Sequence, residues 1–244
     1  MSTRLEVLVF GGCPHAAAVM QLAQEVASRL GPGISVDRVE VDTPVRAAEL
    51  GFLGSPSIRV NGADIEGRTV SSGTLCCRTY ENGAGVPPAW LIEAAVLRAL
   101  APRGLLFLCV ANSARSQLAE GIARTLAPPG VTVWSAGSQP TRVRPEAVAA
   151  LAEIGIDITA HRSKRVSEIP AAEVDTVITL CGEEECPVFL GRARRLHWGM
   201  PDPVAVGGSE SDRLVAFRRT RDALRRRLEA VFGRDASSGS LSQR

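Results

Sequence analysis

The stretch LLFLCVANSARSQLAEG, residues 105 to 121, constrains the chain more than any other. It opens as a short apolar run of β type, passes through a loop of small residues and continues with apolar residues at helical spacing. A buried strand that hands over to a helix through so short a loop belongs to an α/β fold. The loop amides and the unsatisfied first-turn N–H groups of the helix converge on one point and make a cradle for an anion. Cys109 lies at the bottom of that cradle. There the helix dipole and Arg115 favour thiolate over thiol, and the Arg115 fork can grip two oxygens of a tetrahedral oxyanion side by side. Ser116 can hydrogen-bond the thiolate. Asn112 suits a loop position that needs left-handed backbone or a side-chain bridge across the loop. With Ser113, these two form the anion-binding set.

The rest of the chain alternates strands and helices in two halves. LEVLVF (5–10), ISVDRVEV and SIRVNG, the last with an Asn61-Gly62 turn, are strands; AAAVMQLAQEVASRL, a short segment at 45–52 and AWLIEAAVLRAL are helices. The order is β-α-β-α-β-β-α. APRG at 101–104 separates this half from the next with a Pro and a Gly. The second half has strands at 105–108, 131–135 and 176–180 and helices at 116–126, 145–154 and 211–231, a pattern that predicts a parallel sheet covered on both faces. The expected domains are 1–100 and 105–233, with a disordered tail at 234–244.

Charge and cysteine content narrow the function. A net charge of +2 and 45% hydrophobic residues argue for no nucleic acid and no membrane surface as partner. The N-terminal apolar run is broken too early by Gly and Pro for a signal peptide or a span, so a cytoplasmic location is expected. Six irregularly spaced cysteines without a secretory signal suggest reduced or redox-active thiols. A zinc site from Cys76, Cys77, Cys181 and Cys186 would lack the paired Cys-x-x-Cys spacing such sites use, so no metal and no other cofactor is expected. His15, His161 and His197 receive no proton-transfer role.

CVANSARSQLAEG, followed in order by SAGSQPTRVRPEAVAALAEIGID, HRSKRV, VDTVITLC and HWGMPDP, resembles the low-molecular-weight tyrosine phosphatase superfamily, and within it the thioredoxin-coupled arsenate reductases. The resemblance implies Cys109 as nucleophile, Arg115 as oxyanion clamp and Asp202, in the Asp-Pro dipeptide, as general acid. It implies arsenate as substrate. It also implies a thiol relay in which Cys181 attacks Cys109 to release arsenite and Cys186 then takes over Cys181. Ala114 stands where some relatives carry another cysteine, and the interval from Cys181 to Cys186 is shorter than in well-known members. The residues after Asp-Pro are VAVGG, where phosphatases of the superfamily carry aromatic residues that clamp a phenyl ring. A small inorganic ion needs no such clamp.

The first half places Cys13 of GGCPHA between a strand and a helix, and Ser55-Pro56 before a later strand. It therefore resembles a thioredoxin-like domain whose second cysteine is replaced by Ala16. Such a thiol needs a resolving partner, for which Cys76 or Cys77 is available. The expected function is arsenate reduction, recycled by thioredoxin, glutaredoxin, a low-molecular-weight thiol or the fused first half. Two rivals stand beside it: a hydrolytic tyrosine phosphatase-like enzyme, and an arsenite or heavy-metal binder built from Cys13, Cys76 and Cys77.

Overall fold

The computed structural model describes residues 2–69, 74–182, 187–189 and 191–233. The chain forms two compact units, Met1–Ala101 and Pro102–Arg244. Among the described residues no helix is long and apolar enough to cross a membrane. The tail expected at 234–244 lies outside the described residues.

The first unit contains β1 (Thr3–Val9), α1 (Ala16–Leu30), β2 (Ile34–Glu40), α2 (Pro44–Glu49), β3 (Ser57–Val60), β4 (Ala63–Asp64) and α3 (Ala89–Leu100). Its sheet runs β2-β1-β3-β4. β1 pairs parallel with β2 from Thr3↔Ile34 to Val9↔Glu40, while β3 is antiparallel to β1 and β4 antiparallel to β3. The central strand is the most apolar: Leu5, Val7, Leu8 and Val9 are buried. Leu8 packs with Val41, Ala47 and Phe52 on one face. The β3–β4 hairpin turns at Asn61 and Gly62, both at positive φ (51° and 82°), as a two-residue type I′ connection requires.

After β4 the chain returns beside the loop that enters β3. Cys77 forms a parallel bridge with Ser55, and the Ser55-Pro56 peptide is cis. Arg78 anchors this return. Its guanidinium, buried with Asp64, bonds that carboxylate at 2.5 and 3.0 Å and Glu66 at 2.8 Å, and it lies 4.4 Å from the Tyr80 ring centroid. Tyr80 in turn donates to Pro56 O at 2.9 Å. Burial opposes the charge on Arg78, but its bonds to the two carboxylates hold its pKa above the ordinary value. Burial also pushes the Tyr80 phenol up, against the pull of Arg78.

The second unit contains β5 (Gly104–Cys109), α4 (Arg115–Leu126), β6 (Thr132–Gly137), α5 (Pro145–Ala152), β7 (Thr176–Thr179), β8 (Arg194–His197) and α6 (Glu210–Phe232). All strands are parallel, in the order β6-β5-β7-β8. Every residue of β5 is buried, the expected signature of a central parallel strand. Gly104 is required there, because a Cβ would lie 1.8 Å from Glu173 O. α6 starts from a reciprocal capping box between Ser209 and Asp212 and buries Phe217, Leu224, Leu228 and Val231, at helical spacing. The edge strand β8 had no counterpart in the sequence reading. Its residues are RRLH, of which only Leu196 is buried, so no apolar alternation announces it. Charged side chains on an edge strand also discourage pairing with another chain.

Two outcomes are expected. Replacing Asp64 with Ala removes the bidentate partner of a buried cation and should cost about 3–5 kcal/mol, seen as a lower urea midpoint; an unchanged midpoint would contradict this account. The second concerns Glu153, which ties α5 to α6. Its hydrogen bonds to Arg218, and then to Arg221, lower its pKa from 4.5 to about 2 despite an opposing burial effect. A depressed carboxylate contributes stability above its unfolded pKa and loses it as pH falls through the folded value. Unfolding followed by tryptophan fluorescence should therefore show a smaller loss of stability in Glu153→Gln than in wild type as pH drops from about 4.5 to about 2.

Candidate active site

β5 delivers Cys109 to the carboxyl edge of its sheet. From there the chain makes a five-residue loop and enters α4 at Arg115. The connection from β5 leads to β6 on one side, whereas β7 lies on the other. The strand order therefore reverses at this edge, which is where open α/β sheets bind ligands. Cys109 is 2% exposed, and its Sγ lies 2.9 Å from Ser116 Oγ.

The loop holds its shape through Asn112, a non-glycine residue at φ 45° whose side chain is buried. Its Nδ2 donates to Ser116 Oγ and to Ser135 Oγ, both at 2.8 Å. Its Oδ1 accepts from Gln117 Nε2 at 3.0 Å and Lys164 N at 2.7 Å. These bonds set the direction of the rest. Ser116 Oγ accepts from Asn112 and still has its own proton to give to a thiolate at Cys109. Ser135 likewise accepts from Asn112 and donates to the carboxylate of Glu120. Close approach of β6 is possible because its last residue is Gly137: a Cβ there would lie 2.3 Å from Val110 O and 2.8 Å from Asn112 N.

Beneath the loop sits a polar layer. Glu120 is 1% exposed and pairs with Lys164 at 3.1 Å and Arg124 at 2.5 Å. Lys164 is the only lysine in the chain. Gln117 bonds the loop through Asn112 O at 3.1 Å and accepts from His161 Nδ1 at 3.0 Å. That contact leaves Nε2 of His161 as the acceptor facing Arg124 Nη1 at 3.4 Å. Burial, with Arg124 and Lys164 nearby, lowers the His161 pKa against the pull of Glu120, in keeping with a neutral ring. Ser135, Gln117, Glu120 and Lys164 were missed by the sequence reading. Polar residues on a helix normally mark its solvent face, but here every residue from Arg115 to Ala123 is buried.

Arg115, 4% exposed, occupies the first turn of α4. One nitrogen donates to Met200 O at 3.2 Å; another lies 3.5 Å from Asp202 Oδ2. Asp202 is about a third exposed, with its side chain at 32%, and its Oδ1 accepts from Val204 N at 3.1 Å. The Arg115 guanidinium and the carboxyl of Asp202, on a neighbouring loop, therefore face one another. Ser113 is buried in the loop, and its carbonyl accepts from Arg144 N at 2.9 Å.

Cys181 is the second residue past the end of β7. Leu180 N donates to Leu108 O at 2.8 Å, so Cys109 and Cys181 leave adjacent strands at the same edge. Cys181 is fully buried. Cys186 lies outside the described residues. In the first unit, Cys13 precedes α1 and is half-buried, while Cys76 and Cys77 are exposed. Ser55 touches both of these regions: its Oγ accepts from Phe10 N at 3.3 Å, and its backbone bonds Cys76 O and Arg78 N at 2.8 and 2.9 Å. Cys13, Cys76, Cys77, Cys109 and Cys181 are all outside disulfides. Among the described residues no group of three or more His, Cys, Asp or Glu is arranged to hold a metal ion.

Residues 104–238 match the family model described as low molecular weight phosphotyrosine protein phosphatase. Arsenate reductases of Halalkalibacterium halodurans and Bacillus subtilis are each 38% identical over 125 residues, which is 50% of this chain and 90% of theirs. A solved structure described as an arsenate reductase in the phosphate binding state is 34% identical over 53% of this chain and 96% of its own, with a TM-score of 0.45. The family match takes in the loop after Cys109, the Glu120 layer, Cys181 and the Asp202 loop, and through it the chain belongs to the low molecular weight phosphotyrosine protein phosphatase family.

Proposed function

We propose that the protein reduces arsenate to arsenite, with Cys109 as nucleophile. The observation that carries this reading is the pair of thiols at one sheet edge: Cys109 inside an oxyanion cradle and Cys181 at the end of the adjacent strand. A hydrolase needs only the first. The names of the relatives, arsenate reductases 38% identical over nearly their whole length, support the same substrate.

In the proposed reaction the Cys109 thiolate attacks arsenic while Arg115 turns from Asp202 to the oxyanion. Asp202 gives a proton to the departing oxygen, which leaves as water. Cys181 then attacks Cys109 Sγ. The new S–S bond forms as the S–As bond breaks, its electron pair stays on arsenic, and arsenite is released. Attack by Cys186 on Cys181 frees Cys109 and leaves a Cys181–Cys186 disulfide. Electrons for the next cycle come from thioredoxin, glutaredoxin, a low-molecular-weight thiol or the first unit.

For that unit we propose a thioredoxin-like domain over 1–100, joined to the reductase domain over 105–233. The β2-β1-β3-β4 order, with the Cys13 turn leading into α1, supports it. Cys13 would open the disulfide, and Cys76 or Cys77 would resolve the mixed disulfide.

Steady-state and single-turnover assays with arsenate test these roles. Cys109→Ser should abolish reduction, because the hydroxyl is not ionised at neutral pH. Arg115→Lys should lower kcat/KM about 10²-fold or more through loss of the bidentate grip. Asn112→Ala removes the brace of the loop and should cost about 10²-fold in kcat/KM without touching the reacting atoms. Cys181→Ser should block arsenite release, and Cys186→Ser should stop after one turnover with a Cys109–Cys181 crosslink visible by peptide mapping. Full phosphate-ester hydrolysis by Cys181→Ser, with no arsenate reduction by the wild type, would favour the hydrolase instead. Equal recycling rates for the full chain and Cys13→Ser, whichever reductant is supplied, would exclude the first unit as donor.

A further inference from the structure

The segment that follows β6 runs along the nucleophile loop and is stitched to it by main-chain bonds. Gln139 N donates to Val110 O at 2.9 Å, Thr141 N to Ala111 O at 3.1 Å and Arg144 N to Ser113 O at 2.9 Å. Two arginines therefore sprout from a strip of chain that borders the anion cradle. Arg142 is exposed and Arg144 is half-buried. Neither guanidinium has a hydrogen-bond or ion-pair partner among the described residues. The nearest carboxylate along the chain, Glu146, two residues past Arg144, is turned to Arg213 at 3.3 Å. Other arginines of the same unit answer an acid, as Arg218 and Arg221 answer Glu153.

This arrangement matters because the cradle itself is closed in. Cys109 is 2% exposed and Arg115 4%, and the Arg115 fork is held by Met200 O and Asp202. An ion arriving from water must shed its hydration before it reaches the inner clamp, and unpaired cations at the entrance lower that barrier for anions alone.

We propose that Arg142 and Arg144 form an outer capture rim for dianionic tetrahedral oxyanions, and so determine specificity and delivery rather than chemistry. The inference rests on the oxyanion reading of the Cys109 loop but not on arsenate being reduced there. The rim takes the anion first, Arg115 takes it second, and neutral ligands gain nothing from it. Its positive field is screened by salt because the rim faces solvent.

The test uses the full-length protein and two alkylating agents of nearly the same size, iodoacetate and iodoacetamide, with Cys109 followed by peptide mapping. In Arg142→Gln/Arg144→Gln the ratio of iodoacetate to iodoacetamide rates at Cys109 should fall about tenfold at low salt, with the iodoacetamide rate unchanged. Raising the salt concentration should bring the wild-type ratio down toward that of the variant. Arsenate kcat/KM should fall in parallel, with kcat unchanged. A ratio that is the same in wild type and variant, or a wild-type ratio insensitive to salt, overturns the rim. Should the wild type fail to reduce arsenate while the ratio still depends on both arginines, the rim stands and the reductase reading falls.

Discussion

The carboxamide of Asn112 uses its whole hydrogen-bonding capacity inside the loop to which it belongs. Two N–H donors reach Ser116 and Ser135, and two acceptor positions receive Gln117 and the backbone of Lys164. A side chain that makes four bonds in a site with no exposure holds the left-handed turn at its own backbone, since each unmade bond would leave a buried polar group at about 1–3 kcal/mol. The consequence reaches Cys109 through one intermediary. Ser116 Oγ accepts from Asn112 and keeps its own proton for a Cys109 thiolate 2.9 Å away, so the hydroxyl is held beside the sulfur by the loop itself. The geometry around Cys109 is set by a neutral amide that does not touch the sulfur itself.

The polar layer under the loop carries charge without exposing it. Glu120 is a buried carboxylate, and it is tolerated because Lys164 and Arg124 pair with it and Ser135 donates to it. A buried ion pair of this kind is weak evidence for stability, because desolvation offsets much of the attraction. Its value lies in specificity of shape. Lys164 joins the layer twice, through its ammonium at Glu120 and its backbone N–H at Asn112, so the 161–165 segment, the loop and α4 can adopt only one mutual arrangement. Gly137 permits the same closeness from the other side.

Topology then decides what the thiols can do. A strand order that reverses between β5 and β7 puts the ends of two sequence-distant strands side by side at one edge. That edge gathers Cys109, Cys181 and the loop of Asp202, and the three segments are joined by backbone bonds from Leu180 to Leu108 and from Met200 to Leu180. In the first unit the buried Arg78 cluster has a comparable role. By fixing the return of the chain beside Ser55, it holds Cys77 in register with that residue.

The amino-acid sequence by itself determined the alternating α/β character, the strand–loop–helix unit at 105–121 and the identity of Cys109, Arg115 and Asn112 as a set, because those properties are local. Hydrophobic periodicity and the chemistry of a short loop depend on neighbours along the chain. The tertiary structure alone decided the edge strand β8, which lacks apolar alternation, and the burial of Gln117 and Glu120, which read as a solvent face until α6 and the 161–165 segment cover α4. It also decided that Asp202 faces Arg115, two residues 87 positions apart in the sequence, and that the arginines at 142 and 144 border the cradle. Such relations between distant residues come from strand order and packing, and no window of sequence contains both partners.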